Sequence, residues 1–182
     1  PEWPGVHSSG RPGWHIECCA IALHYLEPDD GSATAIDIQG GGSDLIFPHH
    51  EMSAAQSRSI NNKKFAKSYV HAGMIGLDGE KMSKSLGNLV FVSKLIASGV
   101  NPAAIRWALM GHHYANDLMW SQSLIEKASV EIERLQLNLA RMEVAPTDSV
   151  IQGIIEALSH NLDTPQVLSI IRDWMADTEA GK

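Results

Sequence analysis

Residues 34–50 of this chain read TAIDIQGGGSDLIFPHH. The first part, Thr34–Ile38, is short, β-branched and apolar, which predicts a buried strand. Gly40–Gly42 would end that strand, and a helix is predicted from His49 to about Ile60. Tyr69–Leu77 is a second apolar run and predicts another strand. A strand, a glycine loop, a helix and a strand in this order indicate part of a parallel α/β sheet.

The segments on either side of this unit are predicted to be helical. Trp14–Leu26 carries apolar residues at helical spacing. Beyond residue 85 five further helices are predicted, at Ser93–Ala97, Pro102–Met110, Ser121–Met142, Val150–Leu158 and Pro165–Ala176. Thr164 is the expected cap of the last one. The predicted fold class is therefore α/β followed by all-α, with a partial Rossmann-like parallel sheet in residues 1–90 and a helical bundle in residues 91–182.

The composition indicates a folded globular protein. Of the 182 residues, 44% are apolar and 19% are charged, and no apolar run approaches membrane length. The net charge of −7 argues against a general nucleic-acid binder. The adjacent Cys18 and Cys19 cannot form an ordinary disulfide framework, which fits a reducing cytoplasm. Because the chain starts at Pro1 in a loop-like segment, we expect it to be a fragment of a longer protein.

The pentapeptide KMSKS, Lys81–Ser85, predicts a mobile loop that binds a polyphosphate. Lysine is a flexible point charge with three hydrogen-bond donors. Lys81 and Lys84 could therefore stabilise the charge that develops on a departing pyrophosphate, and we expect both to be catalytic. The alternative is a solvated basic loop, which two lysines three residues apart would favour on their own.

A thiol on the first helix is the next chemical signal. Trp14 and Cys18 are four residues apart and share one helix face, whereas Cys19 points about 100° away. We therefore assign Cys18 to a site and Cys19 to the core. The alternative is that Cys18 only packs as a small hydrophobic residue.

A histidine pair follows the glycine loop. His49 at a helix start is well placed to face a cleft, although paired histidines are often surface features. Cys18 and His49 would supply only two ligands, and a tetrahedral zinc needs more. The second pair, His112 and His113, lies in the helical half with no cysteine near it in sequence and is not expected to bind metal.

The end of the glycine loop offers polar contacts. Glycines allow a ligand to approach the backbone closely, and Ser43 and Asp44 could contact a ribose or an amine. An ordinary turn is the alternative, but the position after a strand favours a binding role.

Three runs together resemble one family. Arg11–Cys18, Asp37–Glu51 and Lys81–Ser85 look like cysteinyl-tRNA synthetase and its relative, the ATP-dependent ligase of mycothiol biosynthesis, which joins L-cysteine to glucosaminyl-inositol. The sheet would then be of the class I synthetase type. Ser53 stands where the synthetase has a glutamate that binds zinc, and Gln39 stands where it usually has histidine. Both departures match the ligase, which we prefer.

The resemblance implies a zinc site for the substrate cysteine. Cys18 and His49 would be zinc ligands, joined by a further cysteine from an N-terminal half of the same protein. Because Ser53 cannot act as a carboxylate ligand, the fourth position would be free for the substrate thiolate. Trp14 would wall the small cysteine pocket.

The resemblance also implies an ATP site, with Mg²⁺ shielding the phosphates. Gly42, Ser43 and Asp44 would line the adenylate site, and Ile75 would contact adenine through its backbone. Lys81 and Lys84 would stabilise the leaving pyrophosphate, and Lys84 would also bind the nucleotide.

Two alternatives remain at this stage. The first is cysteinyl-tRNA synthetase itself, with tRNA as the acceptor in place of the amino-sugar inositol. The second is a non-catalytic binding domain that has kept the fold. Under every reading, the 182-residue piece alone is expected to be inactive and not to associate with a membrane.

Overall fold

The computed structural model describes residues 2–11, 13–77, 79–83 and 85–182. The chain divides into two compact units, Pro1–Ala72 and Gly73–Lys182. In chain order the helices and strands are α1 (Trp14–Leu26), β1 (Thr34–Gly42), α2 (Glu51–Asn61), β2 (Lys64–Ala72), β3 (Ile75–Leu77), β4 (Glu80–Lys81), α3 (Val92–Ala97), α4 (Pro102–Met110), β5 (Leu118–Trp120), α5 (Gln122–Leu139), α6 (Asp148–Ser159) and α7 (Thr164–Glu179).

The first unit is built on a parallel pair of strands. β1 pairs with β2 from Thr34 opposite Lys64 to Gly42 opposite Ala72, and α1 and α2 pack on the strands and on each other. The buried core of this unit comprises Cys19, Ala35, Ile36, Phe65 and Ala66. The helix predicted at Trp14–Leu26 and the parallel α/β arrangement are confirmed.

The glycine run lies inside β1 and does not end it. The predicted end at Ile38 is wrong, because Gly40–Gly42 continue the ladder opposite Val70–Ala72. An irregular turn follows, in which Phe47 is extended with φ −135° and ψ 135°. This extended residue delays the start of α2 to Glu51, two residues later than predicted.

The second unit contains a small mixed sheet in the order β4-β3-β5, with β3 parallel to β5 and antiparallel to β4. The single strand predicted at Tyr69–Leu77 is wrong, because its two halves are β2 and β3 and belong to different units. Gly73 lies at this division, and a Cβ there would lie 2.2 Å from the carbonyl of Asn116. The prediction that the sequence beyond Gly87 is all-α is also wrong, since β5 lies within it.

Helices dominate the rest of this unit. The predicted helix Pro102–Met110 is confirmed, and α4, α5 and α7 enclose a core that includes Trp107, Ile125 and Leu168. The cap of α7 is Asp163, which accepts from the Gln166 amide at 3.1 Å, and not Thr164 as predicted. Within the described residues no helix is long and apolar enough to span a membrane. The domain boundary near residue 90 stays a prediction.

Two arginine–carboxylate ion pairs join α5 to α7. Arg134 binds both oxygens of Glu179 at 2.7 and 2.6 Å, and the Asn138 amide donates to the same carboxylate at 2.8 Å. Arg172 binds both oxygens of Glu131 at 2.7 and 2.8 Å. Bidentate pairs of this kind are the stronger form of ion pair because two parallel hydrogen bonds fix their geometry.

The carboxylate of Glu179 should make stability depend on acid pH. The Arg134 guanidinium, aided by Asn138, lowers the pKa of Glu179 from 4.5 to about 2. Because the pKa of Glu179 is lower in the folded state than in the unfolded chain, its ionised carboxylate stabilises the fold at pH values above the unfolded-state pKa. This stabilisation disappears as the pH falls from about 4.5 towards 2. Glu179→Gln should therefore lower the free energy of unfolding in urea at neutral pH, and the difference from wild type should vanish near pH 2. Glu133→Gln, an exposed change on α5, the helix that carries Arg134, is the control. An effect of Glu179→Gln that does not depend on pH would contradict the assignment of this ion pair.

Candidate functional site

The imidazole of His49 is buried and contacts two side chains of α1. It is 6% exposed, and the indole of Trp14 stacks on its face at a centroid distance of 3.8 Å and an angle of 8°. Its Nδ1 lies 2.7 Å from Nδ1 of His15. Burial, and then the neighbouring His15, lower the pKa of His49, which favours the neutral imidazole that a metal requires. The ring is therefore fixed in plane and in orientation by two residues from the first turn of α1.

The two adjacent cysteines have opposite environments. Cys19 is fully buried, and its Sγ donates to the Ser53 carbonyl at 3.6 Å, which confirms that it belongs to the core. Burial raises the pKa of this thiol. Cys18 is exposed and lies one turn after Trp14. Because residues four apart on a helix are neighbours on one face, Cys18 shares the face of α1 whose Trp14 contacts His49.

The hydroxyl of Ser53 has a backbone partner in the segment just before α2. Ser53 is 2% exposed, and its hydroxyl donates to the His49 carbonyl at 3.0 Å, one turn earlier. The same residue accepts the Cys19 thiol through its carbonyl. A small residue is required at this closely packed contact between α1 and α2, and its hydroxyl is already committed to the backbone.

The orientation of His49 suits a metal ligand. His49 binds His15 through Nδ1, which leaves Nε2 as the ring nitrogen for a metal. Histidines that bind a metal usually make a hydrogen bond through their other ring nitrogen. In the parts of the chain that the structure describes, no group of three or more His, Cys, Asp or Glu residues is placed to hold a metal ion. Cys18 and His49 would thus need further donors from outside these residues to complete a tetrahedral site.

A second group of histidines lies where β1 and β2 end. His50 is 3% exposed, its Nε2 lies 2.9 Å from Nε2 of Gln39, and its Nδ1 lies 2.7 Å from Nε2 of His71. A Cβ at Gly41 would lie 2.9 Å from Cε1 of His50, so glycine is needed at this position. The close approach predicted for the glycine run is therefore made at Gly41 by a side chain of the same protein.

The predicted adenylate residues of the first unit follow the same strand. Gly42 is the last residue of β1, and Ser43–Leu45 form a tight turn directly after it, with Asp44 exposed. The carboxyl ends of parallel strands are where α/β proteins bind ligands. The location therefore suits a binding role for Gly42, Ser43 and Asp44, which stays a prediction.

The predicted nucleotide residues of the second unit lie on and after its small sheet. Ile75 begins β3 opposite Leu118, and Lys81 ends β4 opposite Gly76. Lys81 is exposed, and Lys84 lies outside the described residues.

Asn88 binds the backbone of the first half of the KMSKS segment. Its carboxamide oxygen accepts from the Ser83 amide at 2.8 Å, and its nitrogen donates to the Lys81 carbonyl at 3.3 Å. Met82 packs against the core of the helical unit. The backbone around Lys81 is therefore anchored by the hydrogen bond from Asn88 and by the packing of Met82.

Comparison with known proteins identifies the family of the chain. Residues 1–130 match the family described as tRNA synthetases class I (C) catalytic domain. The chain belongs to this family.

Three relatives of similar sequence are named as ligases. The chain is 48% identical over 178 residues to the L-cysteine:1D-myo-inositol 2-amino-2-deoxy-alpha-D-glucopyranoside ligase of Streptomyces coelicolor. It is 50% identical to the ligase of that name from Nakamurella multipartita and 48% identical to that from Mycolicibacterium smegmatis. Each match covers 97% of this chain but only 42% of the relative, so the chain spans less than half of the length of these proteins.

Solved structures of synthetases share the fold. The LeuRS of Agrobacterium radiobacter K84, in a ternary complex with tRNA and LeuAMS, matches with a TM-score of 0.69 and 17% identity over 99% of this chain and 29% of that one. The methionyl-tRNA synthetase of Mycobacterium tuberculosis matches with a TM-score of 0.55 and 16% identity over 80% of this chain and 33% of that one. The predicted class I synthetase-type fold, with helices following the parallel sheet, is thereby confirmed.

Sequence reasoning missed the residues that hold the others in place. His15 was only part of a motif, yet it binds His49, and Asn88 was only a neighbour of the lysine loop, yet it binds the backbone of that loop. The pairing of His50 with His71 could have been found from the parallel register, which places Gly41 opposite His71. The Trp14–His49 contact carries no such local signal, because it depends on how two helices pack.

The two cysteines should differ in reactivity. In the Cys19→Ala variant the remaining thiol of Cys18 should react with iodoacetamide at once. In the Cys18→Ala variant the remaining Cys19 should react roughly tenfold or more slowly, because alkylation of a buried thiol requires a local opening of the fold. Mass spectrometry over time measures both rates, and equal rates in urea are the control. Equal rates in the native chain would contradict the assignment of Cys19 to the core.

The role of Asn88 can be measured by hydrogen exchange. Asn88→Ala removes the acceptor of the Ser83 amide, and a net loss of about 1 kcal/mol would speed exchange at that amide about fivefold. Asn116→Ala, the same change at an exposed asparagine of the second unit, is the matched control. Unchanged exchange at Ser83 in Asn88→Ala would show that the carboxamide does not anchor the loop.

Proposed function

We propose that this chain is part of an ATP-dependent ligase that activates L-cysteine and transfers it to the amine of glucosaminyl-inositol. The observation that carries the proposal is the 48% identity to the Streptomyces coelicolor ligase over 97% of this chain. The cysteine carboxylate attacks the α-phosphorus of ATP, which gives cysteinyl-adenylate and releases pyrophosphate. The sugar amine then attacks the acyl carbon, loses a proton and releases AMP.

The first unit selects the amino acid. Cys18 and His49 would hold Zn²⁺ together with donors from the rest of the protein, and the metal would supply a preference for a thiolate. Ser53 keeps its hydroxyl on the His49 carbonyl and so would not compete with the substrate thiolate for the metal. Trp14 covers the His49 ring and walls a small pocket. Apolar contact alone would discriminate by only about 1–3 kcal/mol per small group, which makes recognition of sulfur the stronger selector.

The strand ends and the lysine loop serve the nucleotide. Gly42, Ser43 and Asp44 line the adenylate site at the end of β1, and Ile75 contacts adenine through its backbone. Lys81 and Lys84 stabilise the charge on the departing pyrophosphate, with Mg²⁺ shielding the phosphates of ATP.

The alternative acceptor, tRNA, is less favoured. The curated relatives described above are named as ligases, and both Ser53 and Gln39 depart from the synthetase pattern. A non-catalytic domain is less favoured because Cys18, His49 and Lys81 are all retained. The adjacent Cys18 and Cys19 fit a cytoplasmic location.

The isolated chain is inactive on this account. It spans 42% of the length of the Streptomyces coelicolor ligase. The further zinc donors would come from the N-terminal half of the same polypeptide. The partners of the complete protein are L-cysteine, ATP and the amino-sugar inositol acceptor. Incubating the isolated chain with all three should yield no AMP, and steady AMP production would overturn the need for a second half.

The proposed stabilisation of pyrophosphate by Lys81 and Lys84 is tested in a protein extended to the length of the relatives. Lys84→Ala and Lys81→Ala should each slow ATP–pyrophosphate exchange strongly, by roughly 10²–10³, which is the usual loss when one electrostatic donor is removed from a transition state. Zinc content should not change. Lys127→Ala, a lysine on α5, is the control. Exchange at the wild-type rate in Lys84→Ala would remove that lysine from the mechanism, and aminoacylation of tRNA by the extended protein would favour the synthetase.

A further inference from the structure

Gln39 on β1, His50 directly before α2 and His71 near the end of β2 form a single row of hydrogen bonds. The amide nitrogen of Gln39 lies 2.9 Å from Nε2 of His50, and Nδ1 of His50 lies 2.7 Å from Nε2 of His71. His50 is 3% exposed, and its ring lies so close to Gly41 that a Cβ there would come within 2.9 Å of Cε1. The middle member of the row is therefore held in one position.

The chemistry of the first member decides where every hydrogen in the row lies. An amide nitrogen can only donate, so Nε2 of His50 must accept. Above the ordinary histidine pKa of about 6.5, an imidazole carries one N–H. In His50 that hydrogen is then on Nδ1, from which it is donated to Nε2 of His71. The hydrogen of His71 is in turn restricted to Nδ1.

We propose that Gln39 is a positioning residue that, through His50, fixes Nδ1 of His71 as a hydrogen-bond donor for an oxygen of the acyl-adenylate at the strand ends. The identity of this ligand rests on the proposed function, whereas the arrangement of hydrogens does not. His71 is only partly buried and lies opposite Gly41, one residue before both strands end at Gly42 and Ala72. Its environment is therefore that of the predicted adenylate site.

Glutamine is well suited to this task. A histidine at position 39 could either donate or accept and would allow both directions of the row. An isolated imidazole prefers to carry its hydrogen on Nε2, so the arrangement in this protein opposes the intrinsic preference of both rings. Without the Gln39 donor the row should reverse, with Nε2 of His71 donating to Nδ1 of His50.

Nitrogen NMR of the ¹⁵N-histidine-labelled chain at pH 8 tests the arrangement. In the wild type, the Nδ1 resonances of His50 and His71 should be those of protonated nitrogens and the Nε2 resonances those of unprotonated ones, with His71→Asn used for assignment. Gln39→Met, which has a similar volume but no donor, should shift both rings towards the Nε2–H form. Gln56→Met, a change on α2 in the same unit, should leave them unchanged. Wild-type rings already in the Nε2–H form, or no shift in Gln39→Met, would overturn the proposal whatever reaction the protein catalyses.

The ligand is tested separately in the protein extended to the length of its relatives. Gln39→Met should lower kcat for ATP–pyrophosphate exchange roughly tenfold, less than the 10²–10³ for outright loss of a donor, because His71 remains present. The KM for ATP should change little. If Gln39→Met shifts the tautomers but leaves ATP–pyrophosphate exchange unaltered, Gln39 positions His71 and the proposed contact of His71 with the adenylate is wrong. No exchange even in the extended wild type would instead contradict the proposed function.

Discussion

The contact between the first turn of α1 and the start of α2 is the constraint on which the candidate site depends. Trp14 covers the face of His49, and His15 holds its Nδ1. On the inner side, Cys19 meets the Ser53 carbonyl, which sets how closely the helices approach. This packing leaves Cys18 exposed on the face of α1 that carries Trp14. A thiol and an imidazole from distant parts of the chain can thus serve one metal only if this helix contact forms.

Small residues make that geometry possible. Ser53 is buried between the two helices, and Gly41 gives His50 the space in which its ring meets Gln39. A side chain at Gly41 would meet the His50 ring, and a larger residue at Ser53 would crowd the contact between α1 and α2. The first unit therefore relies on close packing to orient polar groups, and its stability and its chemistry depend on the same contacts.

Sequence reasoning predicted the elements whose signals are local. The helices at Trp14–Leu26 and Pro102–Met110 follow from apolar spacing and from a proline at the helix start, and both were predicted with their observed ends. The β2–β3 division and the short strand β5 were not predicted, because they depend on which distant segments pair. The site was predicted as a set of residue types, whereas the supporting contacts of His15 and Asn88 required the packing of the fold.

Titration of the protein extended to the length of its relatives with cobalt(II), a spectroscopic substitute for zinc, tests most directly whether Cys18 and His49 share a metal. The account predicts a thiolate-to-cobalt absorption band that is lost in Cys18→Ala and in His49→Ala. The band should persist in Cys19→Ala and in His24→Ala, which change the buried thiol and an exposed histidine of the same helix. A band that survives the loss of either Cys18 or His49, or no band at any cobalt concentration, would contradict it.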